Sequence, residues 1–243
     1  MMHLDYRLAD KFNDIDYRCD DFKKNHDGKH ILFIGDSFAA GDGLEKEETW
    51  CYRVYKKISE IEKTSGYFNL GTSGSAISDS IDQFFKYCYL YSNPDVVFFV
   101  TTEFNREERY GLFKEDHRNS FIYRIYLYLE QYCRSNNIKL YTFSWIKSIN
   151  LKQPKRITKG PSWLELANSK YELINNHDIL NRFETFYDYD KDYMMKKVFE
   201  YDRLSNNDLN SLWARDNLHP GTSFHKFYCD FIFDKYLIGK NNG

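Results

Sequence analysis

Ser37 ends the stretch Ile31–Ser37, ILFIGDS, in which four apolar residues run into a glycine, an acid and a serine. A short apolar run bounded by turn residues is the pattern of a buried strand. A serine on a sharp strand-to-helix turn exposes its hydroxyl and sets its own backbone N–H at the start of the helix, where developing negative charge is favoured. The hydroxyl is unreactive at neutral pH without a base. His219, in the stretch Asp216–Gly221 (DNLHPG), has the chemistry of that base. Asp216, in the same turn, can accept from Nδ1 of the imidazole and so hold the tautomer that leaves Nε2 for the serine. Gly74, in Asn69–Gly74 (NLGTSG), can present a second backbone N–H, because a residue without Cβ lets the main chain approach a reacting group closely. A nucleophile, a base, an orienting acid and two donors for an oxyanion together suit acyl transfer.

Residues this far apart meet only if the fold brings them to one edge. In an open parallel sheet that edge is the carboxyl ends of the strands, at the point where strand order reverses. The sequence alternates accordingly. His30–Ile34 reads as a first strand, and Glu47–Lys63 as a helix with Trp50, Val54, Ile58 and Ile61 on one face. Tyr67–Leu70 reads as a second strand, ended by Gly71, and Ala76–Tyr91 as a helix carrying Ile77, Ile81, Phe84, Phe85 and Cys88 on one side. Val96–Val100 (VVFFV) is a third strand, Ser120–Arg134 a helix and Ile138–Trp145 a fourth strand. Thr222–Leu237, with Phe224, Phe227, Tyr228, Phe231 and Ile232, is a closing amphipathic helix. Such alternation implies an α/β fold, a parallel sheet covered on both faces. GDS, NLGTSG and Thr101–Arg106 (TTEFNR) then follow strands one, two and three, and DNLHPG precedes the last helix. Residues 1–29 are polar and without clear periodicity, and are expected to form an arm or short helix laid on a domain spanning 30–243. Within that domain, residues 147–210 read as a helical insertion or cap.

The bulk properties narrow the choice. A chain of 243 residues can hold one sizeable core or at most two small ones. A formal charge of −2, a pI near 6.4 and the lack of any basic stripe give no footprint for nucleic acid. No apolar run approaches the roughly 20 residues of a spanning helix, and the acidic start lacks the pattern of a secretory leader. A soluble, cytoplasmic protein without a membrane partner is the expectation. The five cysteines form no CxxC and read as reduced core thiols. For the 19% of aromatic residues, three causes compete: core filling, AT-rich codons and a sugar-stacking cleft. The glycines after Ser37 match neither GxGxxG nor a phosphate loop. His26–Asp27 and His177–Asp178 lack ligand spacing and read as solvated surface. No metal or organic cofactor is expected.

Taken in order, these blocks resemble those of the SGNH hydrolases, the GDSL-like esterase/lipase superfamily. GDSFAAGDG is similar to the family's first block, NLGTSG to its second, and DNLHP to its last, of the form DxxHP. The resemblance extends from about Ile31 to Leu237. It implies a flavodoxin-like three-layer α/β/α sandwich with a mostly parallel sheet. It makes Ser37 the nucleophile, Gly74 an oxyanion N–H donor alongside Ser37, His219 the base and Asp216 the orienting acid. The activity it implies is that of a serine esterase removing a short acyl group, O-acetyl foremost, from a small ester or an acylated carbohydrate. The third block departs from the family. Where Gly-x-Asn-Asp is usual, with its Asn as third oxyanion donor, VVFFV runs into TTEFNR. A gapless reading from Pro94 puts Phe104 at the Asn position. Asn105 takes the role if the loop is one residue longer, Thr102 is the alternative, and Glu103 and Arg106 are candidate substrate contacts.

Each residue also has a plainer reading. Ser37 and Asp216 are ordinary helix caps, Pro220 an ordinary first-turn proline, and Gly71, Asp42 and Gly43 ordinary turn residues. The degenerate third block also supports a second function class, a non-catalytic binding or structural module that keeps the fold within a larger assembly.

Overall fold

The computed structural model describes residues 17–102, 104–111, 115–144, 214–215 and 219–241. Residues 1–16 of the expected arm, the expected insertion 147–210, Glu103 and Asp216 lie outside the described residues. Four strands form one parallel sheet: β1 (Ile31–Ile34), β2 (Phe68–Asn69), β3 (Val96–Thr101) and β4 (Lys139–Ser144), in the order β2-β1-β3-β4. Helices α1 (Ser37–Ala40), α2 (Trp50–Ile61), α3 (Ile77–Leu90), α4 (Glu115–Ser135) and α5 (Thr222–Asn241) connect and cover it. Two 3₁₀ segments, Lys46–Glu48 and Phe104–Tyr110, precede α2 and follow β3. This is the α/β sandwich that the strand–helix alternation implies, and its strand order reverses beside β1.

Strand side chains alternate between two faces. Ile31 and Phe33 of β1 join Val96, Phe98 and Val100 of β3 under α2 and α5. Leu32 and Ile34 join Val97 and Phe99 under α3 and α4. The register pairs Phe33 with Phe98 and Phe98 with Tyr141. Their rings stack across three strands, each pair with centroids 5.2 Å apart. Of the three causes proposed for the aromatic content, core packing accounts for these residues. All five cysteines are reduced thiols, and Cys19, Cys51, Cys133 and Cys229 are buried.

Helix ends follow local chemistry. Thr49 caps α2 through its hydroxyl, which accepts from Tyr52 N at 3.3 Å, and the Asp79 carboxylate accepts from Ala76 N at the start of α3. Helix α4 begins at Glu115, before the expected Ser120; its first turn is polar, so the apolar periodicity becomes visible only further along. Ile61, expected on the buried face of α2, is half exposed at the helix's last residue.

The segment from Tyr17 to Lys29 lies along the sheet edge beside β2. Asp20 N donates to Tyr67 O and the Asp20 carboxylate accepts from Tyr67 N, while Phe22 packs edge-on to Tyr87 and Tyr91. His26 departs from the surface reading. Its ring stacks on that of His30 at 3.5 Å and its Nδ1 meets Ser65 Oγ at 3.1 Å. Asp27 is exposed and pairs with Lys63. Among the described residues, no helix is long and apolar enough to cross a membrane.

Candidate active site

Ser37 is the first residue of α1, directly after the β1 turn, and only 2% of it is exposed. Asp36 is the N-cap. Its buried carboxylate accepts from Phe38 N at 3.1 Å, which leaves the Ser37 N–H without an intrahelical acceptor, as at any first helical position. The cap is therefore Asp36 rather than Ser37, and the plain reading of the serine loses its ground. Helix α1 is a single turn, closed by Gly41 N donating to Ser37 O at 2.8 Å and ended by Gly41 in the left-handed region.

The second block is stitched onto this turn. Thr72 N donates to Gly35 O at 3.1 Å. The Asn69 amide donates to Ala39 O at 2.8 Å and to Tyr67 Oη at 2.9 Å, and its carbonyl oxygen accepts from Gly71 N at 2.8 Å. Gly71 is required for space: a Cβ there would lie 2.4 Å from Ala40 N and 2.6 Å from the carbonyl carbon of Ala39. Gly74 is different. A Cβ on it would meet no atom within 4 Å, but its φ of +72° is a conformation that residues with side chains rarely adopt.

The third block supplies charge instead of the family's glycine. The 3₁₀ helix Phe104–Tyr110 lies against the loop that carries Gly74. Arg106 Nη1 donates to Ser75 O at 3.2 Å and pairs with Asp36 Oδ2 at 3.4 Å. The fully buried Glu107 carboxylate accepts from Ser78 N at 3.0 Å and from Ser78 Oγ at 2.6 Å. Arg109 donates to Gly74 O, and the Tyr110 hydroxyl to Asp79. Asn105 belongs to this 3₁₀ helix, and Thr102 is buried just after β3.

The last block meets the same edge. Ala214 N donates to His219 O at 2.9 Å, and Arg215 N to Gly43 O at 3.1 Å in the loop after α1. Arg215 also pairs with Glu48. His219 is half-buried, just ahead of α5, whose Phe224 and His225 rings pack on Phe38, the neighbour of Ser37. His225 is a second histidine six residues beyond His219, and it has a structural task. Its Nδ1 accepts from Trp50 N at 3.0 Å, and burial, then the nearby Arg53, His219 and Arg18 charges, lowers its pKa to about 3.

Ser37, Gly74 and the third block thus converge at the carboxyl ends of β1, β2 and β3, at the switch point of the sheet. Asn69, Glu107 and Arg109 hold these loops together, a role not assigned to them from the sequence, and Arg106, expected as a substrate contact, bridges loops as well. The one available signal was the charged run Arg106–Arg109 directly after a buried strand.

No family model matches the chain, and no curated protein matches it either. Solved structures do. The psychrotrophic esterase EstA from Pseudoalteromonas sp., in a structure inhibited by monoethylphosphonate, superposes with a TM-score of 0.51 at 17% identity, over 87% of this chain and 98% of that one. This chain has the SGNH hydrolase fold. An acetyl xylan esterase, AlAXEase, matches with a TM-score of 0.48 at 16% identity over 84% of this chain and 98% of its own. A member of the lipolytic protein G-D-S-L family from Veillonella parvula DSM 2008 matches with a TM-score of 0.41 at 13% identity over 81% and 91%. In an SGNH hydrolase fold, the Asp36–Ser37 turn at the switch point stands where this architecture places its ligands.

Proposed function

We propose that the protein is a cofactor-independent serine esterase that cleaves a short-chain acyl ester, with O-acetyl groups on a carbohydrate as the leading substrate class. The observation that carries the reading is the joining of three loops around Ser37. Its N–H heads a one-turn helix capped by Asp36, and the Gly74 loop is bonded to the same turn through Thr72 and, via Arg106, through Ser75. EstA and the acetyl xylan esterase are esterases by name, which agrees with it.

In this reading Ser37 Oγ attacks the ester carbonyl while Nε2 of His219 takes its proton, with Asp216 holding the imidazole by Nδ1. The negative oxygen of the tetrahedral intermediate is received by the N–H groups of Ser37 and Gly74 and by a third donor, assigned to Asn105 with Thr102 as the alternative. Collapse expels the alcohol with the proton from His219. Water, deprotonated by the same base, then releases the acid from the acyl-enzyme.

The test is hydrolysis of p-nitrophenyl acetate, a reagent small enough for a serine this well covered. The wild type turns it over, and Ser37→Ala abolishes turnover with an unchanged circular dichroism spectrum. Equal rates for the two proteins would remove Ser37 from the reaction.

A second reading, a non-catalytic module on the same fold, is favoured by the third block, where an ion pair and a buried carboxylate–hydroxyl hydrogen bond stand in place of the family's glycine-bearing turn. Fluorophosphonate labelling separates the two readings. Covalent modification of Ser37 supports the esterase, and a folded protein that does not label supports the module.

A further inference from the structure

We propose that Arg106 is a positioning residue that fixes the spacing between the two backbone donors of the oxyanion hole; the inference rests on the esterase reading above. Those donors sit on different loops. Ser37 N follows β1 and Gly74 N follows β2, and a tetrahedral oxyanion is stabilised only where both point at one place before it forms. Arg106 touches the chain next to each of them. Its Nη1 pairs at 3.4 Å with the carboxylate of Asp36, the residue before Ser37, and donates at 3.2 Å to the carbonyl of Ser75, the residue after Gly74. One planar cation therefore ties the first block to the second from a 3₁₀ helix of the third.

The surroundings make this tie stiff. Asp36 is fully buried, and its other oxygen is engaged as the helix cap on Phe38 N, so the carboxylate cannot swing without uncapping α1. The Gly74 loop is fixed from the same 3₁₀ helix by Arg109 on Gly74 O, and the start of α3 that follows it by Glu107 on Ser78. These two neighbours hold the loop to the third block. Arg106 reaches onward to the nucleophile turn as well. A guanidinium suits the task because its several N–H groups lie in one rigid plane, whereas an ammonium on a flexible stem would satisfy either partner without fixing their separation.

The prediction is a defect in turnover rather than in binding or folding. Arg106→Ala lowers kcat for p-nitrophenyl acetate about 100-fold, the order expected for a displacement of about 1 Å at a reacting centre. KM stays within about threefold of the wild type, because the donors act mainly on the transition state. Arg106→Lys recovers part of the loss, and guanidinium ion added to Arg106→Ala recovers more than the same concentration of ammonium. Asp36→Asn keeps the cap but removes the charge, so combining it with Arg106→Ala adds little further loss in kcat. Amide exchange at Ser75 and Ser78 accelerates in Arg106→Ala, reporting release of the loop.

Two results overturn the proposal: a kcat within about threefold of the wild type in Arg106→Ala while turnover remains dependent on Ser37, or additive losses in the pair with Asp36→Asn. If the wild type neither turns over ester nor labels at Ser37, the esterase reading fails separately. Amide exchange then decides for Arg106 alone: faster exchange in Arg106→Ala upholds the tie, and unchanged exchange overturns it.

Discussion

The backbone N–H of Trp50, at the head of α2, donates to Nδ1 of His225, a residue of α5 distant in sequence, at 3.0 Å. The acceptor nitrogen must be unprotonated, so this bond exists only with a neutral imidazole. Burial lowers the pKa of His225 to about 3, helped by the Arg53, His219 and Arg18 charges. His30 at the base of β1 is lowered to about 3 as well, by burial and then by the stacked His26 ring. As pH falls below the ordinary histidine value of 6.5, the unfolded chain binds protons that the native state refuses. Stability is therefore full above that value and is lost progressively down toward about 3. One unit below the ordinary value, each histidine costs on the order of 1 kcal/mol. Urea unfolding should show the protein less stable at about pH 5.5 than at about pH 7.5. His225→Asn retains an acceptor for Trp50 without a titrating group, and should flatten that dependence. An equally steep dependence in the variant would show that His225 does not set it.

Gly71 gives a sharper steric prediction. A Cβ at this position would overlap the backbone of Ala39 and Ala40 in α1, and neither backbone atom can move like the end of a side chain. Gly71→Ala should destabilise the fold by about 1–3 kcal/mol, the usual cost of overpacking. It should also lower Ser37-dependent turnover in the fraction that remains folded, because α1 itself must shift. Gly74→Ala meets open space, so its penalty comes from the backbone conformation alone. Thermal unfolding of the two variants should therefore rank Gly71→Ala as the more damaging, and the reverse order would count against close packing as the reason for Gly71.

The end of α1 is held from the segment that precedes β1. Arg18 donates to Gly41 O at 3.0 Å and Ala40 O at 3.3 Å, and also to Leu44 O. The last carbonyls of so short a helix have no intrahelical donor, and Gly41 O shares Arg18 with Leu44 N, which donates to it at 3.1 Å. Arg18→Met keeps the aliphatic stem and removes the donors, and should cost about 1–3 kcal/mol for the buried groups left unsatisfied. Fluorophosphonate labelling of Ser37 should slow in the same variant. A stable variant with undiminished labelling would show that the segment does not brace α1.

The parts of this molecule that obey a period were legible in the sequence. Val96–Val100 and Ile31–Ile34 are apolar throughout because both faces of β1 and β3 are covered, and they lie where the runs predict. The heads and tails of elements were less legible. The polar first turn of α4 shows no apolar face, and β2 has two ladder residues where the apolar run suggested four. At the site, GDS and NLG announced themselves because tight turns need particular residue types. Arg106 stood out only as a candidate substrate contact and Glu107 not at all, since nothing in the local sequence names the partner of either. Their partners, Asp36 at the cap of α1 and Ser78 in the first turn of α3, come from other elements, and only the strand order brings them near. His26 shows the same limit. A histidine beside an aspartate reads as surface, but a stacked ring at 3.5 Å half-buries it.

Under the esterase reading, the third donor of the proposed oxyanion hole is the remaining test of the third block. Losing one donor typically costs about 10²–10³ in turnover. Ser37 N and Gly74 N are main-chain groups that no side-chain substitution removes, so the side-chain donor is the one mutagenesis can isolate. Asn105 has the amide chemistry that the family uses there, one residue beyond the gapless position, and it lies in the 3₁₀ helix that also carries Arg106. Thr102, buried at the end of β3, offers a hydroxyl instead. Asn105→Ala is expected to lower kcat about 100-fold with little change in KM, because the contact forms mainly in the transition state. Thr102→Val, which keeps the shape and removes the hydroxyl, is expected to have a much smaller effect. If Thr102→Val carries the loss instead, the donor is the hydroxyl. If both variants keep the wild-type kcat, the hole works with its two backbone donors, and the charged 3₁₀ helix serves to position rather than to donate.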